Sequence, residues 1–104
     1  MDAQKVILVL GAGRSSSSLI AHLLGQSEGE GWEVHVGDLD LAAAQAKVQG
    51  HPNGRAFQMS SSDVKDRDAR IASADLVISM LPAFMHPEVA SVAIEAGVLV
   101  LTPG

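Results

Sequence analysis

The sequence predicts an α/β chain folded as a doubly wound parallel sheet of five strands, and three observations carry the prediction. Five short apolar runs alternate with four stretches whose apolar residues recur at spacings of three and four. The connections are short and rich in Gly, Pro, Asn and Ser. The runs Val6–Leu10 and Asp75–Leu81 are almost wholly apolar, as strands covered by helices on both faces must be. Parallel strands need crossovers and crossovers are right-handed, so the expected strand order is 3-2-1-4-5.

Each element has its own signal. The first strand, Val6–Leu10, stops at Gly11 and Gly13, and a helix with Leu19, Ile20, Leu23 and Leu24 on one face follows. The polar, glycine-rich stretch 25–31 has the composition of a breaker and is expected to be a connection. Trp32–Gly37 reads as the second strand, with Val34 and Val36 on one face and Trp32 covering the edge or packing on the first helix. Asp38 and Asp40 come next, then a helix carrying Leu41, Ala44 and Val48 that ends in the turn formers Gly50 to Gly54.

Arg55–Met59 is the third strand and Ser60 to Asp63 a polar loop that caps a helix over Val64–Ser73. That helix is rich in charge, leaving Val64 and Ile71 as its anchors. The fourth strand, Asp75–Leu81, is bounded by Pro82. The fourth helix, His86–Ala96, places Val89, Val92, Ala93 and Ala96 on one side, and Gly97 stops it before the fifth strand, Val98–Leu101.

Composition narrows the function. With 104 residues, 47% of them hydrophobic, the chain has material for one core and one domain, 1–104. A net charge of -5 and the lack of a basic stripe argue against nucleic acid as a partner. Absence of cysteine excludes disulfides and thiolate metal sites. His22, His35 and His51 stand on different elements, so no metal site is expected. The first apolar run is too short for a signal peptide or a membrane span, and a cytoplasmic protein is expected.

A strand that turns at glycine into a helix leaves the first helical N–H groups without intrahelical acceptors, with the helix dipole adding positive charge. An anion fits there, and in a Rossmann-like sheet that anion is the pyrophosphate of a dinucleotide. Gly11 supplies the sharp turn and Gly13 lets phosphate oxygens approach the backbone. Ser16 stands at the third position of the G-x-G-x-x-G pattern, where a small residue suffices. Ser15 and Ser16 offer N–H groups and hydroxyls to phosphate. Arg14 clamps the pyrophosphate, covers the adenine, reaches a 2′-phosphate or is a solvated surface side chain.

At the end of the second strand, Asp38 is the expected ribose ligand and Asp40, directly before the helical run, the expected cap. Leu39 between them is not basic, which favours NAD over NADP. Ser60 and Ser61 either flank the adenine or are simple loop polarity. Ser79 to Pro82, with Leu81 and Pro82 at the tip, line the ribose and the approach to the nicotinamide. His86 either touches substrate at that rim or serves as a helix-start residue in solvent.

The segments Val6–Ser18 and Asp75–Pro87, with the serine-rich loop in the first and the Leu81-Pro82 and His86-Pro87 pairs in the second, resemble the cofactor domain of the saccharopine dehydrogenase (saccharopine reductase) family. The resemblance spans nearly the whole chain. It implies a Rossmann domain of an NAD(P)-dependent oxidoreductase in lysine metabolism, making or breaking a C–N bond between an amino acid and a keto acid. Relatives that use NADP often carry a basic residue about where Leu39 stands. Family catalytic and amino-acid-binding groups lie mostly beyond the fifth strand, so no catalytic residue is assigned here. The chain is expected to be an inactive fragment of a longer enzyme whose substrate domain it lacks.

Two other classes share this sheet: a regulatory module sensing NAD or ATP for a transporter or channel, and a packing module without ligand. The exposed edges of the third and fifth strands offer surfaces for a homodimer.

Overall fold

Alternation along the first strand sets the layers. A computed structural model describes residues 5–11, 16–59, 64–81 and 86–102. In β1 (Lys5–Leu10), Ile7 and Val9 point to one side and Leu8 and Leu10 to the other, all at most 4% exposed. The first pair meets Val34 and Val36 of β2 (Trp32–Asp38), Ile78 of β4 (Leu76–Ser79), Ile20, Leu23 and Leu24 of α1 (Ser17–Glu30), and Ala44 and Val48 of α2 (Leu41–Val48). Trp32 packs against this same cluster. The second pair meets Phe57 of β3 (Gly54–Gln58), Val77, Ile71 of α3 (Val64–Ser73), Val89 and Ala93 of α4 (His86–Ala96), and Val98 before β5 (Leu99–Leu101). Each fully buried Val, Leu or Ile stabilises the fold by about 1.5–3 kcal/mol.

The five strands are all parallel and ordered β3-β2-β1-β4-β5, the expected doubly wound arrangement. Register places Leu10 beside Gly37 and Ser79, and Asp38 beside Gln58.

Two expectations are corrected. The stretch 25–31 is not a connection: α1 continues through it to Glu30, and Gly31, at φ 74°, caps the helix with its N–H on the Ser27 carbonyl. Gly25 and Gly29 are exposed, so each costs the helix about 1 kcal/mol and nothing more. Between them, Ser27 is fully buried, its hydroxyl donating to the Leu24 carbonyl (2.6 Å) and accepting from Asn53 Nδ2 (3.1 Å). That contact with the turn before β3 draws the last turn of α1 onto the core. Val64 is not an anchor of α3, being 45% exposed; the inward positions are Ile71 and Arg67.

Gly37 is where β2 and β3 close on each other. A Cβ there would fall 2.2 Å from Phe57 Cζ, and the ring is held from outside by Arg70, whose guanidinium carbon lies 3.8 Å from its centroid. Gly37→Ala is therefore expected to lower stability by about 1–3 kcal/mol, as overpacked cores do. The measurement is the urea midpoint, and a midpoint equal to wild type would show that Phe57 has another place to go.

Candidate functional site

Because every strand runs the same way, the carboxyl ends of β1 to β4 share one edge, and backbone hydrogen bonds beyond the strands tie them together. Met80 N donates to Leu10 O (2.8 Å), Gly11 N to Gly37 O (2.7 Å) and Met59 N to Asp38 O (2.7 Å). Gly11, Asp38 and Leu81, three positions distant in sequence, are brought to this rim.

Gly11 sits at φ 95°, a conformation that costs an L side chain about 1–2 kcal/mol. A Cβ there would also lie 3.1 Å from the carbonyl carbon and oxygen of Met80. Glycine is required at this turn on both counts, and the chain then enters α1 through Ser16, which is fully buried.

The two acids divide as their positions suggest. Asp40 is the N-cap of α2, its Oδ1 accepting from Ala42 N at 3.0 Å. Asp38 Oδ1 accepts from Leu39 N at 2.9 Å, and among the described residues no donor reaches its Oδ2. Leu39 is 56% exposed beside it, an apolar surface next to that carboxylate.

Ser79, in register with Leu10 at the end of β4, is fully buried, and among the described residues its hydroxyl has no hydrogen-bond partner. A buried polar atom left without a partner is uncommon. Its place beside the glycine turn makes it part of the wall of the rim. Gly13, Arg14, Ser15, Ser60, Ser61 and Pro82 lie outside the described residues, as does the side chain of His86, the first residue of α4. Gln58 escaped the sequence reading: its amide donates to the Leu39 carbonyl at 3.1 Å and steadies the turn after Asp38. Its register opposite Asp38 is the signal that locates it.

Away from the rim, His35 Nε2 lies 3.0 Å from Glu33 Oε1, and among the described residues no group of three His, Cys, Asp or Glu is placed to hold a metal. Among them too, no helix is long and apolar enough to cross a membrane.

The family model described as the saccharopine dehydrogenase NADP binding domain matches residues 7–104. The chain belongs to this family. Its members are NAD(P)-dependent dehydrogenases, and membership implies NAD(P) binding. Among solved structures, the apo saccharopine dehydrogenase (L-Glu forming) of Saccharomyces cerevisiae is 31% identical with a TM-score of 0.80, over 94% of this chain and 21% of that one. The WlbA dehydrogenase of Chromobacterium violaceum, solved with NADH and UDP-GlcNAcA, is 28% identical with a TM-score of 0.68, over 98% of this chain and 28% of its own. PbgP3 of Burkholderia pseudomallei, at 17% identity and a TM-score of 0.78 over 96% of this chain and 35% of its own, shares the fold. No curated sequence matches the chain. The chain thus spans about a fifth of the length of the yeast enzyme it resembles.

Two variants separate the turn from the cap. Gly11→Ala is expected to weaken NADH binding in a fluorescence titration, because the strained turn must shift against Met80. Asp40→Ala is expected to cost about 1 kcal/mol of stability through loss of the cap, with NADH affinity unchanged. A tenfold loss of affinity in Asp40→Ala would exchange the roles of the two acids.

Proposed function

We propose that the rim binds a nicotinamide dinucleotide, NAD in preference to NADP. The observation that carries the reading is the Asp38 carboxylate, whose Oδ2 meets no donor among the described residues, on the same edge as the Gly11 turn, with the uncharged Leu39 beside it. A ribose 2′- and 3′-hydroxyl pair donates to a carboxylate there, whereas a 2′-phosphate meets a like charge and no neighbouring cation from Leu39. Leu39 gives the adenine an apolar surface. Gly11 and Gly13 let the diphosphate approach the main chain, Arg14, Ser15 and Ser16 supply its donors, and Ser60 and Ser61 flank the adenine. Leu81 and Pro82 line the nicotinamide ribose.

The Ser79 hydroxyl, without a partner among the described residues, supports the fit, since a wall that carries such a donor suits a polar ligand or its ordered water. When bound, the nicotinamide ring gives or takes a hydride at C4. This chain's residues hold and orient the cofactor. The walls around the reacting carbon, and the groups that move protons, belong in this reading to polypeptide outside the domain 1–104, which by itself binds without turnover.

The whole protein is then an oxidoreductase of the C–N bond between an amino acid and a keto acid, in lysine metabolism. Family membership and the likeness to the yeast enzyme support this over a sensor module attached to a transporter or channel.

The test is a pair of titrations with NADH and NADPH. Asp38→Ala is expected to weaken NADH by about tenfold or more, the worth of hydrogen bonds to a charged acceptor, and NADPH by less. Leu39→Arg should move the preference toward NADPH. If Asp38→Ala leaves the ratio of the two affinities unchanged, the ribose role is wrong; if the wild-type chain binds neither, so is the dinucleotide reading.

A further inference from the structure

Arg67 is the one charged side chain among the described residues that is buried, at 8% exposure, and it occupies the inward face of α3 one turn before Ile71. Packing alone would favour an aliphatic residue at such a position. Burying the guanidinium costs desolvation, and its acidic partners, Asp68 and Glu88, are 35% and 69% exposed, so the pairs return little net stability and a well-packed apolar replacement is often neutral or stabilising. The arginine therefore calls for a role other than holding the core together.

Its partners indicate which. Nε and Nη2 lie 3.1 and 3.0 Å from Asp68 Oδ1 on its own helix, while Nη1 reaches Glu88 Oε2 at 3.3 Å in the first turn of α4. Parallel strands send both α3 and α4 away from the carboxyl edge of the sheet, so both helices begin at the rim. Arg67 thus clasps the start of the helix that follows β3 to the start of the helix that follows β4. In the reading above these are the two sides of the ligand: adenine lies against the connection after β3, and the nicotinamide ribose against the end of β4.

We propose that Arg67 is a positioning residue for dinucleotide binding, acting through Glu88 to hold the adenine side and the nicotinamide side of the rim at one fixed separation. The inference rests on the dinucleotide reading. A ligand that spans both sides depends on that separation, and a ligand that touches one side does not. The ion pair with Glu88, which is largely exposed, is weak as a contributor to folding but sufficient to bias the relative placement of two helix ends.

The experiment compares NADH, which spans the rim, with 5′-AMP, which fills the adenine side, on the wild-type chain and on Arg67→Met and Glu88→Gln. Glu88→Gln alters an exposed side chain and keeps the test usable should Arg67→Met fold poorly. Both variants are expected to weaken NADH by about fivefold, the low end of coupling between linked sites, with 5′-AMP affinity and the thermal midpoint unchanged. The double variant should lose no more than either single one. NADH affinity equal to wild type in Glu88→Gln overturns the inference, as does parallel loss of NADH, 5′-AMP and thermal stability, which would mark a purely structural pair. Failure of the wild-type chain to bind NADH takes down the dinucleotide reading and this inference together, whereas wild-type binding with unaffected variants defeats the inference alone.

Discussion

The structure depends on β1 being hydrogen-bonded on both sides to strands that run in its own direction. Leu10 pairs with Gly37 on one flank and Ser79 on the other, and one residue later the chain must leave the sheet. Gly11 makes that exit at a positive φ while its N–H still reaches the Gly37 carbonyl, so the turn is itself part of the ladder. Parallel direction has a second effect. It sends every crossover helix back from the same edge, gathering helix starts and strand ends on one rim.

The rim inherits an electrostatic layout from this geometry. Helix starts contribute partial positive charge where α1 leaves β1, and Asp38 contributes a carboxylate one strand away. A ligand with an anionic middle and a hydroxyl-rich end matches that sequence of charges. The rest of the described core is apolar apart from Ser16, Ser27, Arg67 and Ser79, and each of these has a location that matters. Ser27 ties α1 to the turn before β3. Ser16 and Ser79 stand at the glycine turn, and Arg67 joins α3 to α4.

Much of this was legible in the residues. Apolar runs mark all nine described elements and turn formers bound most of them, the end of α1 being the exception, and the strand order follows from crossover handedness once the alternation is seen. The cap role of Asp40 could be read from its place before Leu41. Stretch 25–31 has the composition of a connection because Gly25 and Gly29 look like breakers, and local composition does not reveal that Ser27 between them is buried against Asn53. Val64 looked like an anchor on hydrophobicity alone. Its position on the helix circumference leaves it exposed, and the charged Arg67 takes the inward place.

What the chain's residues determined without help was most of what is local: where strands stop, which glycine the turn after the first strand demands, which acid precedes a helix and which follows a strand. These are matters of backbone sterics and side-chain period, and both are written in consecutive residues. Tertiary structure alone decided which distant groups meet. Phe57 over Gly37, Arg67 against Glu88, Gln58 steadying Leu39 and the buried hydroxyl of Ser79 all arise from register between strands and from the angle of one helix against another. Pairings of that kind join residues far apart in the chain, and their energies exist only once the sheet has brought them together.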